Sequence, residues 1–255
     1  MDLNLKGKRA IVTGASKGIG LAIAQALAGE EVTVYAAARS HGVAGENIVP
    51  VAVDLTDKAG AAQLAEQAGD VDILVNNVGG VMAASMRAKG FADIDDESWI
   101  ATYELNLFST VRVTRAVLPG LLRRRGVVIN ISSIGARAAF QPVDYGTAKA
   151  ALNNLTKALA EEYGKDGLRA LTVSPGPTRT ANWGDPAGYA GELAQAAGVP
   201  LEEFLAGVPE AMGISTGRLT EPEETAALVT FLASSRSGNL TGADYLADGG
   251  VIKTV

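Results

Sequence analysis

Short, uninterrupted apolar runs alternate with longer amphipathic stretches along the chain, and this rhythm narrows the possible folds more than any other feature. Ala10-Ile11-Val12, Val32-Thr33-Val34-Tyr35, Val49 to Val53, Ile73-Leu74-Val75, Val127 to Ile131 and Leu168 to Val173 read as six strands, and Ala243 to Leu246 as a last short one. Continuous apolar strands bury both faces, as they do in a parallel sheet covered by helices on each side. Helical patterns fall between them, from about Ile19, from Asp57, and over roughly Glu97–Leu118, Tyr145–Tyr163 and Pro222–Leu232. The expected fold class is therefore α/β, a doubly wound parallel sheet, with no repeat or linker to divide the chain.

Composition removes several classes of function. With 47% hydrophobic and 20% charged residues, the 255-residue chain has the makings of a packed core. A net charge of -6 and only 5% aromatic residues argue against a nucleic-acid partner. The absence of cysteine excludes disulfides, thiolate metal sites and a cysteine nucleophile. No apolar run approaches the ~18 residues of a membrane span, and Met1 to Lys6 lacks the order of a secretory signal. The expectation is a cytoplasmic protein with no membrane partner. His41, the lone histidine, suits an exposed loop near a bound ligand better than a metal site, and no metal is expected.

Thr13-Gly14-Ala15-Ser16-Lys17-Gly18-Ile19-Gly20 joins the first strand to the first helix. Glycines there let the backbone turn sharply and approach a pyrophosphate, which the free N–H groups of a helix N-terminus attract. The end of the second strand selects the dinucleotide. An NAD site places an acid there for the ribose hydroxyls, whereas this strand ends Ala36-Ala37-Ala38-Arg39. Arg39, with Lys17 in the loop, offers donors to a 2′-phosphate, so NADP(H) is expected in preference to NAD(H). Further along, Tyr145 and Lys149 stand four apart and share one helix face. A nearby cation lowers the pKa of a phenol, and a phenol so tuned can exchange a proton with an alcohol or carbonyl oxygen.

Taken with Asn76-Asn77-Val78-Gly79, Asn130-Ile131-Ser132-Ser133 and Pro175-Gly176, these motifs resemble the short-chain dehydrogenase/reductase family over nearly the whole chain. The resemblance implies a Rossmann-like sheet of seven parallel strands in a single domain, 1–255. Residues 1–125 would form mainly the cofactor half and 126–255 the catalytic and substrate half. It implies hydride transfer between NADP(H) and a small-molecule carbonyl or secondary alcohol, and a homotetramer, with a dimer as the alternative, built partly on the helices near 97–118 and 145–163. By motif, Tyr145 would be the acid in reduction and the base in oxidation, Lys149 would lower its pKa and hold the nicotinamide ribose, and Ser133 would bond the reacting oxygen. Asn106 would hold a relay water. Gly14, Ser16, Lys17, Gly18, Ile19, Gly20 and Arg39 would surround the adenosine and phosphates. Asp54 and Leu55 would meet the adenine, and Asn76, Asn77, Val78 and Gly79 the adenosine side. Pro175, Gly176, Thr178 and Thr180 would flank the nicotinamide.

Three points depart from the family pattern or stay open. Val78 stands where alanine is usual. Ser132, not Ser133, keeps the usual spacing of thirteen to Tyr145, although strand register favours Ser133. The Gly-, Pro- and Ala-rich excursion 181–217 follows the sixth strand, where α/β proteins hold substrate. Its Trp183, Tyr189, Leu193, Phe204 and Leu205 either line a pocket or pack the excursion's own helices. Two other outcomes are weighed: dehydration or epimerisation through a keto intermediate, and a regulatory NADPH-binding protein without turnover. The intact Asn106, Ser133, Tyr145 and Lys149 argue against the latter.

Overall fold

A computed structural model describes residues 1–40 and 42–254, so the expectation for His41 lies outside the described residues. Seven strands form one sheet: β1 (Arg9–Thr13), β2 (Thr33–Ala38), β3 (Ile48–Ala52), β4 (Ile73–Asn76), β5 (Val127–Ile131), β6 (Arg169–Pro175) and β7 (Asp244–Ala247). Their order is β3-β2-β1-β4-β5-β6-β7, and every pairing is parallel. The order reverses direction between β1 and β4. That switch point leaves a crevice beyond the carboxyl ends of the two strands. β4 and β5 are buried at every position, their apolar residues joined by Asn76 and Asn130, which bond each other at 2.9 Å.

The helices are α1 (Gly18–Gly29), α2 (Gly60–Ala68), α3 (Ala83–Arg87), α4 (Asp96–Tyr103), α5 (Ser109–Arg124), α6 (Val143–Tyr163), α7 (Ala181–Gly184), α8 (Tyr189–Ala197), α9 (Leu201–Ala211) and α10 (Pro222–Ala233). One core layer packs α1 and α10 on the sheet through Ile23, Leu27, Val229 and Leu232. The other packs α2, α5 and α6 on the opposite face through Leu64, Val113, Val117, Leu121 and Leu159. Each fully buried leucine or isoleucine in these layers adds roughly 1.5–3 kcal/mol by removal from water.

The helix expected over Glu97–Leu118 is longer and interrupted. Asp95 caps it by accepting the Ser98 N–H at 2.8 Å, and a π-helical turn, Glu104–Phe108, links α4 to α5. The Arg123-Arg124-Arg125 run ends α5, with Arg125 left-handed and Arg123 paired to Asp70 at 2.6 Å. The excursion folds as α7, α8 and α9 over a small core of Ile134, Val208, Ile214, Leu219 and Val251. Phe204 and Leu205 pack into that core, so for them the packing alternative holds.

Candidate active site

The crevice is built first by one hydroxyl. Thr13 Oγ1, at the end of β1, accepts the Asn77 N–H at 2.9 Å and the Val78 N–H at 3.0 Å, and donates to the Val75 carbonyl at 3.4 Å. The Asn77 amide then donates to the Thr13 and Gly14 carbonyls at 3.1 and 3.2 Å, which fixes the glycine loop from beneath. A Cβ at Gly20 would overlap the Gly14 carbonyl oxygen, so α1 can start this close to β1 only with glycine there. Lys17, at the N-cap of α1, makes no side-chain cap hydrogen bond, so the first-turn N–H groups of Gly18, Ile19 and Gly20 are left for a ligand or water to satisfy. Ser16 is half-buried beside them and Lys17 exposed. These are the features a dinucleotide phosphate needs, and on them the residues present fit the cofactor.

At the adenosine end, Arg39 is exposed just past β2. Asp54 is also exposed, with Oδ1 accepting from Thr56 N at 2.9 Å and Thr56 Oγ1 at 2.7 Å. The Thr56 hydrogen bonds hold the Asp54 carboxyl below its ordinary pKa, and the positive field of Arg39 adds to this, so the two groups are neighbours. Leu55 is buried and its carbonyl accepts from Arg112 on α5 at 3.1 Å. Asn76 does not belong with them. It is buried, and its amide donates to Thr114 at 3.1 Å and to Asn130 at 2.9 Å, so its place is in the polar tie between β4, β5 and α5 rather than at the adenosine. On the facing wall, Gly176 N–H donates to the Ala247 carbonyl at 3.0 Å, and buried Thr178 donates to the Gly176 carbonyl at 2.9 Å. The side chain of Thr180 closes over Gly18, 3.2 Å from where a Cβ would stand. The segment after Pro175 thus meets the glycine loop across the crevice.

The inner end carries the chemistry. A Cβ on Gly79 would lie 2.7 Å from Asn106 Oδ1 and 2.9 Å from Lys149 Nζ, so both side chains border one small space above the β4 terminus. Asn106 sits in the π-helical turn, fully buried; its Oδ1 accepts from Gly80 N at 2.9 Å and its Nδ2 donates to the Gly80 and Thr102 carbonyls at 2.9 and 3.0 Å. Lys149 Nζ donates to the Ile131 carbonyl at 3.0 Å and lies 5.7 Å from the centre of the Tyr145 ring. Burial pushes its ammonium down to about 8 from an ordinary value of 10.5.

Ser133 and Tyr145 both face the space above Gly135, where a Cβ would lie 3.5 Å from Ser133 Oγ and 3.9 Å from Tyr145 Cε1. Ser133 Oγ accepts the Gly135 N–H at 3.1 Å, which leaves its own proton free to donate. Ser132 is turned the other way, its hydroxyl donating to the Lys149 carbonyl at 3.3 Å inside the core. The expected lowering of the Tyr145 pKa is corrected: enclosure of the ring pushes the phenol up, the Ser133 hydrogen bond opposes this, and the Tyr189 phenol adds to the rise. The cause is geometric. Lys149 directs one N–H to the Ile131 carbonyl and stands over the ring face rather than bonding the phenolic oxygen, and burial remains the largest influence on the phenol. Tyr189, edge-on to Trp183 at 5.7 Å, brings part of the excursion to the site, whereas Trp183 itself packs, like Phe204 and Leu205, against the excursion's core.

The model of the short chain dehydrogenase family matches residues 8–186. The chain belongs to that family. Among relatives it is 32% identical to L-xylulose reductase of Mus musculus, with both chains covered completely. It is 34% identical to the 3-oxoacyl-acyl-carrier-protein reductase of Vibrio harveyi, over 98% of this chain and 99% of the relative. The crystal structure of L-sorbose reductase from Gluconobacter frateurii, complexed with NADPH and L-sorbose, superposes with a TM-score of 0.88 at 32% identity, each chain covered in full. This family member is accordingly an oxidoreductase that transfers hydride between a nicotinamide cofactor and a carbonyl or CH–OH group. No described helix is long and apolar enough to cross a membrane.

Proposed function

We propose that the enzyme is an NADPH-preferring reductase of small-molecule ketones, running in reverse as a secondary-alcohol dehydrogenase, with Tyr145 as its proton donor. The observation that carries this reading is the Ser133 hydroxyl and the Tyr145 phenol facing one space while Lys149 stands 5.7 Å from the phenol ring. When bound, the reduced nicotinamide supplies the hydride to the carbonyl carbon. The phosphates would rest on the first turn of α1, the 2′-phosphate between Lys17 and Arg39, the adenine against Asp54 and Leu55, and the ring end against Val78, Gly79, Pro175, Gly176, Thr178 and Thr180.

The chain's own part is to hold the substrate oxygen and deliver a proton. Ser133 donates to that oxygen, and Tyr145 passes it the phenolic proton. At neutral pH the phenol is in the acid form the step consumes, although the upward shift makes it a weaker donor than a phenol tuned towards pH 7. Lys149 then returns a proton to the phenolate, through the space it shares with Asn106. Screening ketoses, apolar ketones and 3-oxoacyl thioesters for loss of NADPH absorbance tests the reading; NADPH bound with no substrate of any class turned over would favour the regulatory alternative.

Two expectations are specific to this geometry. Ser133→Ala should lower kcat by about 10²-fold, the loss expected for one donor at a developing oxyanion, whereas Ser132→Ala should cost a few-fold at most. The reverse pattern would reassign the serine. The pH dependence follows from Lys149. Its ammonium form is the one that reprotonates the phenol, so ketone reduction should fall as pH rises through about 8, and alcohol oxidation should rise over the same range. Stability should move differently. In the unfolded chain lysine keeps its proton to 10.5, so the buried ammonium costs folding free energy below about 8, and that cost fades as pH climbs from about 8 towards 10.5.

The same reading takes the chain as one domain in the cytoplasm, assembled as a homotetramer. A partly exposed aromatic run supports the assembly: Phe91 before α4, half-buried Trp99 and Tyr103 on it and Phe108 in the π-helical turn meet in succession, edge-on or tilted, at 6.2, 6.1 and 6.5 Å, with Ile100 beside them 67% exposed. A second copy of this chain is the occupant proposed for that face. A monomer by sedimentation at micromolar concentration would remove the assembly from the reading.

A further inference from the structure

Asp144, the residue before Tyr145, is buried completely, and its side chain is hydrogen-bonded to Ser85 and Thr102. One of its oxygens, Oδ2, accepts two hydroxyls, from Ser85 on α3 and from Thr102 on α4, both at 2.6 Å. Both are at the short end of the range for O–H···O hydrogen bonds. The other oxygen, Oδ1, is buried without a partner. Keeping a carboxyl group here is costly, since burying a polar oxygen without a hydrogen-bond partner opposes folding. An apolar contact could join the same three segments without that cost, but it would let them slide. Two short bonds converging on one atom do not.

The partners show what is being held. Thr102 is used twice: its hydroxyl binds Asp144, and its carbonyl accepts from Asn106 Nδ2 at 3.0 Å. Asn106 in turn holds both the N–H and the carbonyl of Gly80. A continuous chain of hydrogen bonds therefore runs from the residue beside the phenol, through Thr102, to the side chain that borders the Lys149 space. Ser85 adds the segment that follows Gly80, since α3 has no other buried side chain. Helix–helix packing alone would not fix α6 in register with these groups to a fraction of an ångström.

We propose that Asp144 is a positioning residue for proton transfer, its single bonded oxygen holding the first turn of α6, and with it Tyr145, in register with the Asn106 turn and the segment after β4. The proposal rests on the reading of Tyr145 as proton donor. It is tested by steady-state kinetics on the full chain, with kcat expressed per folded molecule and NADPH affinity measured separately by fluorescence. Asp144→Ala should lower kcat by about 10- to 100-fold, the scale set by displacing a reacting group by an ångström or less, with NADPH affinity within about 2-fold of the parent. Asp144→Asn keeps an acceptor oxygen in place and should recover kcat to within about 3-fold of the parent. Thr102→Val, which keeps the side-chain shape, should lower kcat by about 3- to 10-fold and add little to Asp144→Ala, because the two changes break one bond.

A clamp that only stabilises the fold would lower the melting temperature and leave kcat of the folded molecules intact; that result overturns the proposal, as does Asp144→Asn falling as far as Asp144→Ala. If Asp144→Ala does not fold, Thr102→Val decides, and parental kcat there overturns it. Absence of any NADPH-dependent turnover in the parent protein would instead remove the proton-donor reading, so the two failures are distinct.

Discussion

Replacing Tyr145 by Phe should reduce turnover by about 10²- to 10⁴-fold, the contribution of a positioned general acid, while leaving NADPH binding close to that of the parent. Phenylalanine keeps the ring, its packing against the Gly135 turn and its distance from Lys149, and loses only the oxygen. The groups fitted to the phosphates lie at the far end of the crevice, on the glycine loop and α1, and are untouched by the change. Ser133 stays in place to polarise the substrate oxygen, so a residual rate above the uncatalysed one is expected, and this residual should lose the alkaline limb assigned to Lys149, because a proton relay with no phenol to refill has nothing to report. The measurement is kcat across pH together with a direct binding isotherm for NADPH. Turnover within a few-fold of the parent would defeat the mechanism.

The second large effect concerns the choice of cofactor. Arg39→Ala should weaken NADPH binding by about 10- to 100-fold, the range for loss of charged hydrogen bonds, and leave NADH binding within about 2-fold. Removing Lys17 as well should erase most of the remaining preference. The argument is one of position: Arg39 is exposed immediately beyond the carboxyl end of β2, near enough to Asp54 to depress its carboxyl, and the strand end before it, Ala36-Ala37-Ala38, carries no acid to bind ribose hydroxyls. Lys17 adds positive charge to a helix start that already attracts anions. The effect should shrink as salt rises, since both cations are exposed and screened. Equal losses for the two dinucleotides would remove Arg39 from this role.

The sheet was legible in the sequence because a strand buried on both faces is mostly apolar, as Val127 to Ile131, with Asn130 its one polar residue, and Ile73 to Val75 are. The glycine loop, the Tyr145 and Lys149 pair and the nearby serines were legible for a related reason: tight backbone approach and helical spacing leave local marks. What escaped depends on neighbours distant in the chain. The π-helical turn at Glu104–Phe108 lies inside a run whose helical pattern continues on both sides, so nothing local announces it. The rise of the phenol pKa comes from enclosure by residues that only folding assembles. Asp144 reads as an ordinary first-turn acid of a helix, and its partners stand 59 and 42 residues away. Asn76 and Asn77 are adjacent, yet strand alternation sends one into the core and the other onto the glycine loop. The choice between Ser132 and Ser133 turns on the same alternation, which a count of residues to Tyr145 does not see.

The bridging role of Thr13 has a kinetic side. Its hydroxyl is the rivet of the rift: two amides from one bank and a carbonyl beneath are gathered on a single oxygen, so the banks cannot drift apart without freeing all three at once. A docking channel held at fixed width before its guest arrives needs no ordering step of its own. Entry of the dinucleotide should then be governed by diffusion and charge, and whatever slow motion limits the catalytic cycle should originate in the outer helices rather than in the floor of the channel.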